Sequence, residues 1–405
     1  MSDVKSRGML SHVRVLDLTL FLSGPFGTQI LGDLGAEIIK IEPRGGDMTR
    51  QLPPNFIAGD SAYYHSINRN KKSVGLNYKT PEGLALFKQL VAQCDVLIEN
   101  QKPGALAEHG ISYETMSAVN PRLIYCSISG FGQNGPDRDR PAYDMVVQAL
   151  SGGMSLTGEP DGKPVRAGVP LGDLSVGMYG VIGILAALES RRVTGKGQYI
   201  DVAMLDCQVA MLTYQAAYYL ASGKVPGRQG RTHESIPTYR CFTSRDGREV
   251  VVCANTDRMW QSLCEVAGLP ELRDDPELQS RKGRYKHWDL IVSTFDRVFA
   301  TRDADDWVKA LRAANVPVAT VQNLDEVFSS EQVQVRDMVL ELPGPNGETL
   351  RVAGNPIKTS FPGGGHRFPP KLAQDTADVL GDLLKLKPEE IGRLQASGVI
   401  EGVKP

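Results

Sequence analysis

Short apolar runs alternate with stretches of helical period through the first half of the chain. Val13–Leu18, Ala36–Glu42, Asp95–Asn100 and Leu123–Ser129 each read as a strand, compact and rich in branched residues. Between the first two lies LFLSGPFG, a glycine-bearing loop, after which Pro25 sets the first turn of a helix ending near Gly35. Strand, helix, strand is a βαβ unit, and such units build parallel sheet. Thr80 followed by Pro81 marks another helix start, with Thr80 as N-cap, and that helix runs to about Cys94. The longest apolar run, around Val176 to Leu188, belongs to a helix expected from about Ser175 to Arg192. Its cations, Arg191 and Arg192, stand at the C-terminal end, where the macrodipole favours them. The run is too short to span a bilayer comfortably and carries glycines. TGKGQ then turns the chain into a short strand, Tyr199–Val202.

Beyond that strand the pattern changes. A helix bearing Tyr214, Tyr218 and Tyr219 is expected to about Ala221, its aromatic stripe reading as core or interface. Gly223 to Gly230 reads as a linker. Asp246-Gly247 and Asn346-Gly347 each mark a hairpin turn, and helices are expected at 257–267, 287–300 and 304–314. The expectation is an α/β protein with a large Rossmann-like parallel-sheet domain and a smaller α+β domain. Residues 1–225 form the first part of the large domain, 226–329 the small domain, and 330–405 return to the large one.

Composition sets the class without naming the chemistry. A chain of 405 residues is too long for one ordinary core, so two domains are expected. The 45 basic and 47 acidic residues nearly cancel, and no basic stripe or lysine cluster points to nucleic acid or a membrane surface. None of the six cysteines forms a C-x-x-C pair, so neither a metal site nor a thioredoxin-like site is expected. MSDVKSRGMLSH lacks the apolar stretch of a signal peptide, and a reducing, cytoplasmic setting follows as the expectation.

Candidate chemistry centres on Asp173, between Gly172 and Leu174, where a loop enters the long helix. It reads as an N-cap, typically worth about 1 kcal/mol, or as a carboxylate nucleophile flanked by glycine so that substrate can approach. Gly24 and Gly27 do not make G-x-G-x-x-G, which argues against a dinucleotide site. Lys71 and Lys72 read as a solvated face. Asn100 stands at the carboxyl end of a strand, where open α/β sheets bind ligands.

Several segments resemble the family III CoA-transferases, the group of formyl-CoA transferase and carnitine CoA-transferase that also holds α-methylacyl-CoA racemases. They are the GD pair with TGKGQYIDVAMLD behind it, NRNKKS with KTPEG, the EN-x-x-PG segment from Glu99, and GFGQNGP. The likeness is densest over residues 13 to 210. It implies that Asp173 is the catalytic nucleophile and that a CoA thioester is substrate, with no permanently bound cofactor. It places Leu22, Ser23, Leu76, Lys79, Asn100, Gln101, Lys102, Ala105 and Tyr143 along the CoA. Formyl-CoA transferases carry glutamine where Leu22 stands, which suggests a different acyl group. Glu108 stands where the family has an arginine, so Arg44 or Lys102 would take that phosphate. Asp375 replaces a histidine of the family's closing motif. The region 223–245 lacks the long glycine loop of formyl-CoA transferases, which disfavours formyl or oxalyl substrates.

On this resemblance the chain is expected to move CoA from succinyl-CoA to a small dicarboxylic or hydroxy-dicarboxylic acid. An acyl–aspartyl anhydride and an aspartyl-CoA thioester would be the intermediates. An acyl-CoA racemase on the same fold is the alternative; there a histidine would pair with the aspartate, and Tyr143 occupies its position. A non-catalytic CoA-binding protein is the third reading. A homodimer of interlocked rings is implied as well.

Overall fold

The computed structural model describes residues 8–360 and 365–402; residues 1–7, part of the stretch read for a leader, lie outside the described residues. The chain forms two compact units. One comprises residues 1–153, 166–223 and 334–405, the other 154–165 and 224–333.

The first unit is built on a seven-stranded sheet. Its strands are β1 (Arg14–Asp17), β2 (Glu37–Glu42), β3 (Lys71–Leu76), β4 (Val96–Glu99), β5 (Ile124–Ser129), β6 (Tyr199–Ala203) and β7 (Ile400–Glu401). They lie in the order β7-β3-β2-β1-β4-β5-β6, and every pairing is parallel except that of β7 with β3. From β3 to β6 this is the doubly wound order, which reverses direction between β1 and β4. Alternate residues serve two cores. Leu16, Ile39, Leu97 and Tyr125 face one side with the helix Pro81–Ala92, while Val15, Ile38, Val96 and Ile124 face the other. Thr80 caps the Pro81 helix as its sequence requires, accepting from the Gly83 N–H at 3.1 Å.

β3 corrects the reading of Lys71 and Lys72 as a solvated face. Both lie in this strand; Lys71 is 2% exposed and pairs with Asp17 at 3.1 Å, and Lys72 reaches Glu37 at 2.6 Å. Carboxylates on β1 and β2 make these positions suitable for lysine.

The Leu171–Thr194 helix is longer than its apolar run suggested. At 24 residues, with an 18-residue stretch of mean hydropathy 1.7, it is long and apolar enough to cross a membrane by length and composition. One face packs Val176, Ile184 and Ala187 into the core under β5, while Met178, Tyr179 and Ile182 remain exposed on the other. The single helix expected to about Ala221 is two, Met204–Met211 and Tyr214–Ser222, parted at Thr213, whose φ is +46°. Tyr214, Tyr218 and Tyr219 are exposed, so the stripe is not core of this chain.

The tail rejoins the first unit. Asp375 accepts from the Ser73 N–H at 2.8 Å and returns its own N–H to the Ser73 carbonyl at 2.9 Å. The helices Thr376–Leu384 and Pro388–Ala396 follow, and β7 then closes the sheet edge.

The second unit holds a four-stranded antiparallel sheet whose central hairpin, Ile236–Thr243 with Glu249–Cys253, turns at Gly247 with φ +78°. Phe242, Phe299 and Trp307 stack in succession at 4.4 Å in its core. Residues 154–165, expected in the large domain, cluster here because Arg228 hooks the Glu159 and Pro160 carbonyls, each at 3.0 Å.

Candidate active site

In a doubly wound sheet the strand-order reversal, here between β1 and β4, makes a crevice at the carboxyl ends, and the loop after β1 is pinned there. Buried Asp17 takes hydrogen bonds from the Thr19 N–H at 2.8 Å, the Thr19 hydroxyl at 2.5 Å and the Thr28 hydroxyl at 2.6 Å. Lys71 spans Asp17 and the Pro25 carbonyl, and Lys40 donates to the Thr19 carbonyl at 2.7 Å. The two cations and the hydroxyls hold the Asp17 carboxyl down at about 2 against its own burial, and burial brings Lys71 down to about 8. Asn100, at the end of β4, locks the loop from across the crevice. Its amide accepts from the Leu20 N–H and donates to the Leu20 carbonyl, each at 2.8 Å, and donates to the Ser23 hydroxyl at 3.1 Å.

The helix Ser23–Asp33 leaves this loop and crosses the Leu171–Thr194 helix at a pair of glycines. A Cβ on Gly177 would stand 2.5 Å from the Ser23 carbonyl oxygen, and one on Gly27 would stand 2.9 Å from that of Gly177. Only glycine permits this approach. Asp173 is one turn before Gly177, on the same helical face. The crossing therefore brings the first turn of the Asp173 helix to the Leu22–Ser23 loop.

Asp173 is not the cap of its helix. It lies inside the first turn, after Leu171 and Gly172, and the capping contact is made by Asp144, whose Oδ1 accepts from the Gly172 N–H at 2.7 Å. The other Asp144 oxygen accepts from the Gln148 amide at 2.7 Å. Among the described residues no hydrogen bond is made to the Asp173 carboxylate. Burial, and then the negative charge of Asp144, push its carboxyl up to about 7. A carboxylate so placed is about half ionised near neutral pH and is more nucleophilic than an ordinary aspartate. Tyr63 belongs to the same neighbourhood and gave no signal in the sequence. Its phenol is driven up to about 12 by burial first and then by Asp173, Asp47 and Asp144.

The residues placed along the CoA by resemblance fall into three places. Leu22 and Ser23 start the helix at the crevice; Ser23 is joined to Asn100, whose amide is otherwise engaged with Leu20. Leu76 ends β3, 1% exposed, so its side chain belongs to the core. Lys79 is exposed just beyond it, and Gln101 reaches back to that segment by donating to the Tyr78 hydroxyl at 3.2 Å. Arg44 is open to solvent near Glu401, the β7 residue beside Gly75, at 3.9 Å. Lys102, next to Gln101, turns to Asp139 at 3.8 Å and is exposed, and the half-buried Ala105 donates its N–H to the Lys102 carbonyl. Tyr143 immediately precedes Asp144, is 69% exposed, and meets the ring of Phe21 edge-on at 6.4 Å. Phe21, at φ +61°, precedes Leu22, so Tyr143 stands at the crevice mouth.

Comparison with known proteins gives the family. The family model "CoA-transferase family III" matches residues 10–376. The succinyl-CoA:glutarate CoA-transferase of Mus musculus is 40% identical over 402 residues, 99% of this chain and 92% of the relative. The succinate–glutarate CoA-transferase of Agrobacterium fabrum is 39% identical, covering 95% of this chain and 98% of its own. A succinyl-CoA:mesaconate CoA-transferase of Haloarcula hispanica is 37% identical. Among solved structures, a CaiB/BaiF family protein from Brucella suis superposes with a TM-score of 0.82 at 36% identity, covering 93% of this chain and all of that one. With its doubly wound sheet and a match spanning most of its length, the chain belongs to CoA-transferase family III and is an enzyme of that type.

Proposed function

We propose that this protein moves CoA from succinyl-CoA to a small dicarboxylic acid, with Asp173 as covalent carrier. The carboxylate attacks the thioester carbonyl and expels CoA thiolate, leaving an acyl–aspartyl anhydride. The thiolate then attacks the aspartyl carbonyl, releasing succinate and leaving CoA on Asp173 as a thioester. The incoming acid attacks that thioester to form a second anhydride, and CoA thiolate closes the cycle on the acceptor's carbonyl. Each step trades one activated acyl bond for another, so the activation is retained if water is kept out. The observation that carries this reading is that Asp144, and not Asp173, satisfies the helix start, which leaves the Asp173 carboxylate unbonded and pushed up in a crevice. The named relatives support the donor and the acceptor class.

The test is exchange from succinyl-CoA to a panel of acids, with borohydride or hydroxylamine added in parallel. Modification confined to Asp173, and exchange to dicarboxylates above monocarboxylates, are expected. Exchange without any covalent trap at Asp173 would sink the mechanism, and exchange to monocarboxylates alone would sink the acceptor class. The exposed apolar residues Ile182, Tyr218 and Leu220 support a homodimer, and the interlocked form predicts no folded monomer at nanomolar concentration in mass photometry.

A further inference from the structure

Gln148 lies one turn after Asp144 on the helix Asp144–Leu150 and is 3% exposed. Both ends of its amide are in use. The nitrogen donates to Asp144 Oδ2 at 2.7 Å, and the oxygen accepts from the Ala167 N–H at 2.9 Å. A carboxylate at one end and an N–H at the other leave a single assignment of its oxygen and nitrogen. Asp144 Oδ1 in turn takes the Gly172 N–H. Ala167, Gln148, Asp144 and Gly172 thus form a closed hydrogen-bonded circuit around the loop that leads into Asp173. The turn is hemmed from the other side by Gln208, whose oxygen accepts from the Ser151 hydroxyl at 2.8 Å. A Cβ on Gly172 would lie 2.5 Å from the Gln208 amide nitrogen and 3.0 Å from Asp144 Oδ1.

We propose that Gln148 is a positioning residue for the reaction: its nitrogen holds Asp144 in the orientation that fixes the Asp173 turn, and its oxygen holds the loop that enters it. The inference rests on Asp173 being the carrier. The charges around that carrier define what Gln148 controls. Asp144 faces it from the helix Asp144–Leu150, and Tyr63, backed by Asp47, from the 62–66 helix. The helix Met204–Met211 meets the turn at Gly172 with Met204 and Gln208, and the helix Ser23–Asp33 meets the next turn at Gly177 with backbone and the Phe26 ring, contacts that carry no charge. Moving the negative charge between positions 144 and 148 therefore changes the field at Asp173 while the hydrogen-bond circuit can be kept.

The test is an exchange of groups. Gln148→Glu sets carboxylate against carboxylate, and Asp144→Asn sets amide nitrogen against amide nitrogen unless it turns away from Gly172. Each should lower kcat/KM at least about tenfold. The double variant Asp144→Asn/Gln148→Glu restores one N–H···O bond between the two side chains with its direction reversed. It also leaves an acceptor for Gly172 and another for Ala167, and kcat/KM should return to within about threefold of the native chain. Its acid limb should lie at lower pH than native, because the charge has moved a helical turn further from Asp173. In Gln148→Glu alone the limb should rise by about half a pH unit or more. A double variant no better than the product of the singles, or an acid limb unmoved in all three, overturns the proposal. Should Gln148→Glu not fold, the comparison of Asp144→Asn with the double variant decides alone. Trapping of Asp173 in the native chain is scored separately, so failure of the carrier role is not confused with failure of the positioning role.

Discussion

Replacing Asp173 by asparagine removes a charge that the fold disfavours. The carboxyl stands at about 7 in the folded chain against an ordinary 3.8. Between those values the folded chain holds a proton that the unfolded chain has lost. Stability therefore falls as pH rises from about 4 to about 7 and stays low above it. At about 1.4 kcal/mol per pH unit, the ceiling on this cost is about 4 kcal/mol. Two features reduce it. The side chain keeps partial contact with solvent, and the first turn of a helix favours an anion by about 0.3–1 kcal/mol. We expect Asp173→Asn to be about 2 kcal/mol more stable than the native chain at pH 8, with the gain shrinking by more than half at pH 5. Urea unfolding followed by far-ultraviolet circular dichroism is the assay. All three tryptophans, Trp260, Trp288 and Trp307, lie in the second unit, so their fluorescence gives an internal reference that should not move. No gain at pH 8, or an equal gain at both pH values, would refute the claim that burial and Asp144 set this carboxyl. The variant should be inactive in exchange at every pH.

In the native chain kcat/KM should climb with pH through about 7, because only the ionised Asp173 can attack; a rate flat from pH 5 to pH 8 would contradict that. Gly177→Ala drives a methyl to 2.5 Å from the Ser23 carbonyl, and should cost about 1–3 kcal/mol by thermal unfolding while lowering exchange more than stability, since the crossing sets the crevice. Lys71→Met takes the ion-pair partner from buried Asp17, leaving Lys40 and two hydroxyls beside it, and should cost about 3 kcal/mol. Adding Asp17→Asn should recover part of that loss, and a double variant less stable than Lys71→Met would show that the pair is not coupled.

Local pattern carried the reading of the fold where strands were branched and bounded. β1, β2, β4 and β5 fall within a residue or two of their apolar runs, and the helix after Thr80 begins where its cap and proline require. β3 was illegible for a physical reason. NRNKKSVGL reads as polar because the carboxylates that admit its lysines to the interior lie on other strands, Asp17 being 54 residues away. β7 is two residues long, too short to show a period. At the candidate site, Asp173 drew attention from its glycine neighbour and its motif. The capping function first weighed for it belongs to Asp144, 28 residues before Gly172, and only the folded chain brings the two together. Tyr63 carried no local signal, since nothing in AYYHS distinguishes it from buried Tyr64 beside it.

The closing of the sheet by the tail has a consequence for how this protein is made. Ser73 meets Asp375 across 302 residues, and β3 gains its outer neighbour only with Ile400 and Glu401. At roughly 5–20 residues per second on the ribosome, β3 waits on the order of 15–60 seconds with an unpaired edge after it has emerged. The second unit has all its residues, through 333, before the first is complete. The nascent first unit is thus a sheet with an open border, the kind of edge that other chains can extend. Stalling or truncation in the last thirty or so residues would leave an intact Asp173 on a sheet that recruits strangers.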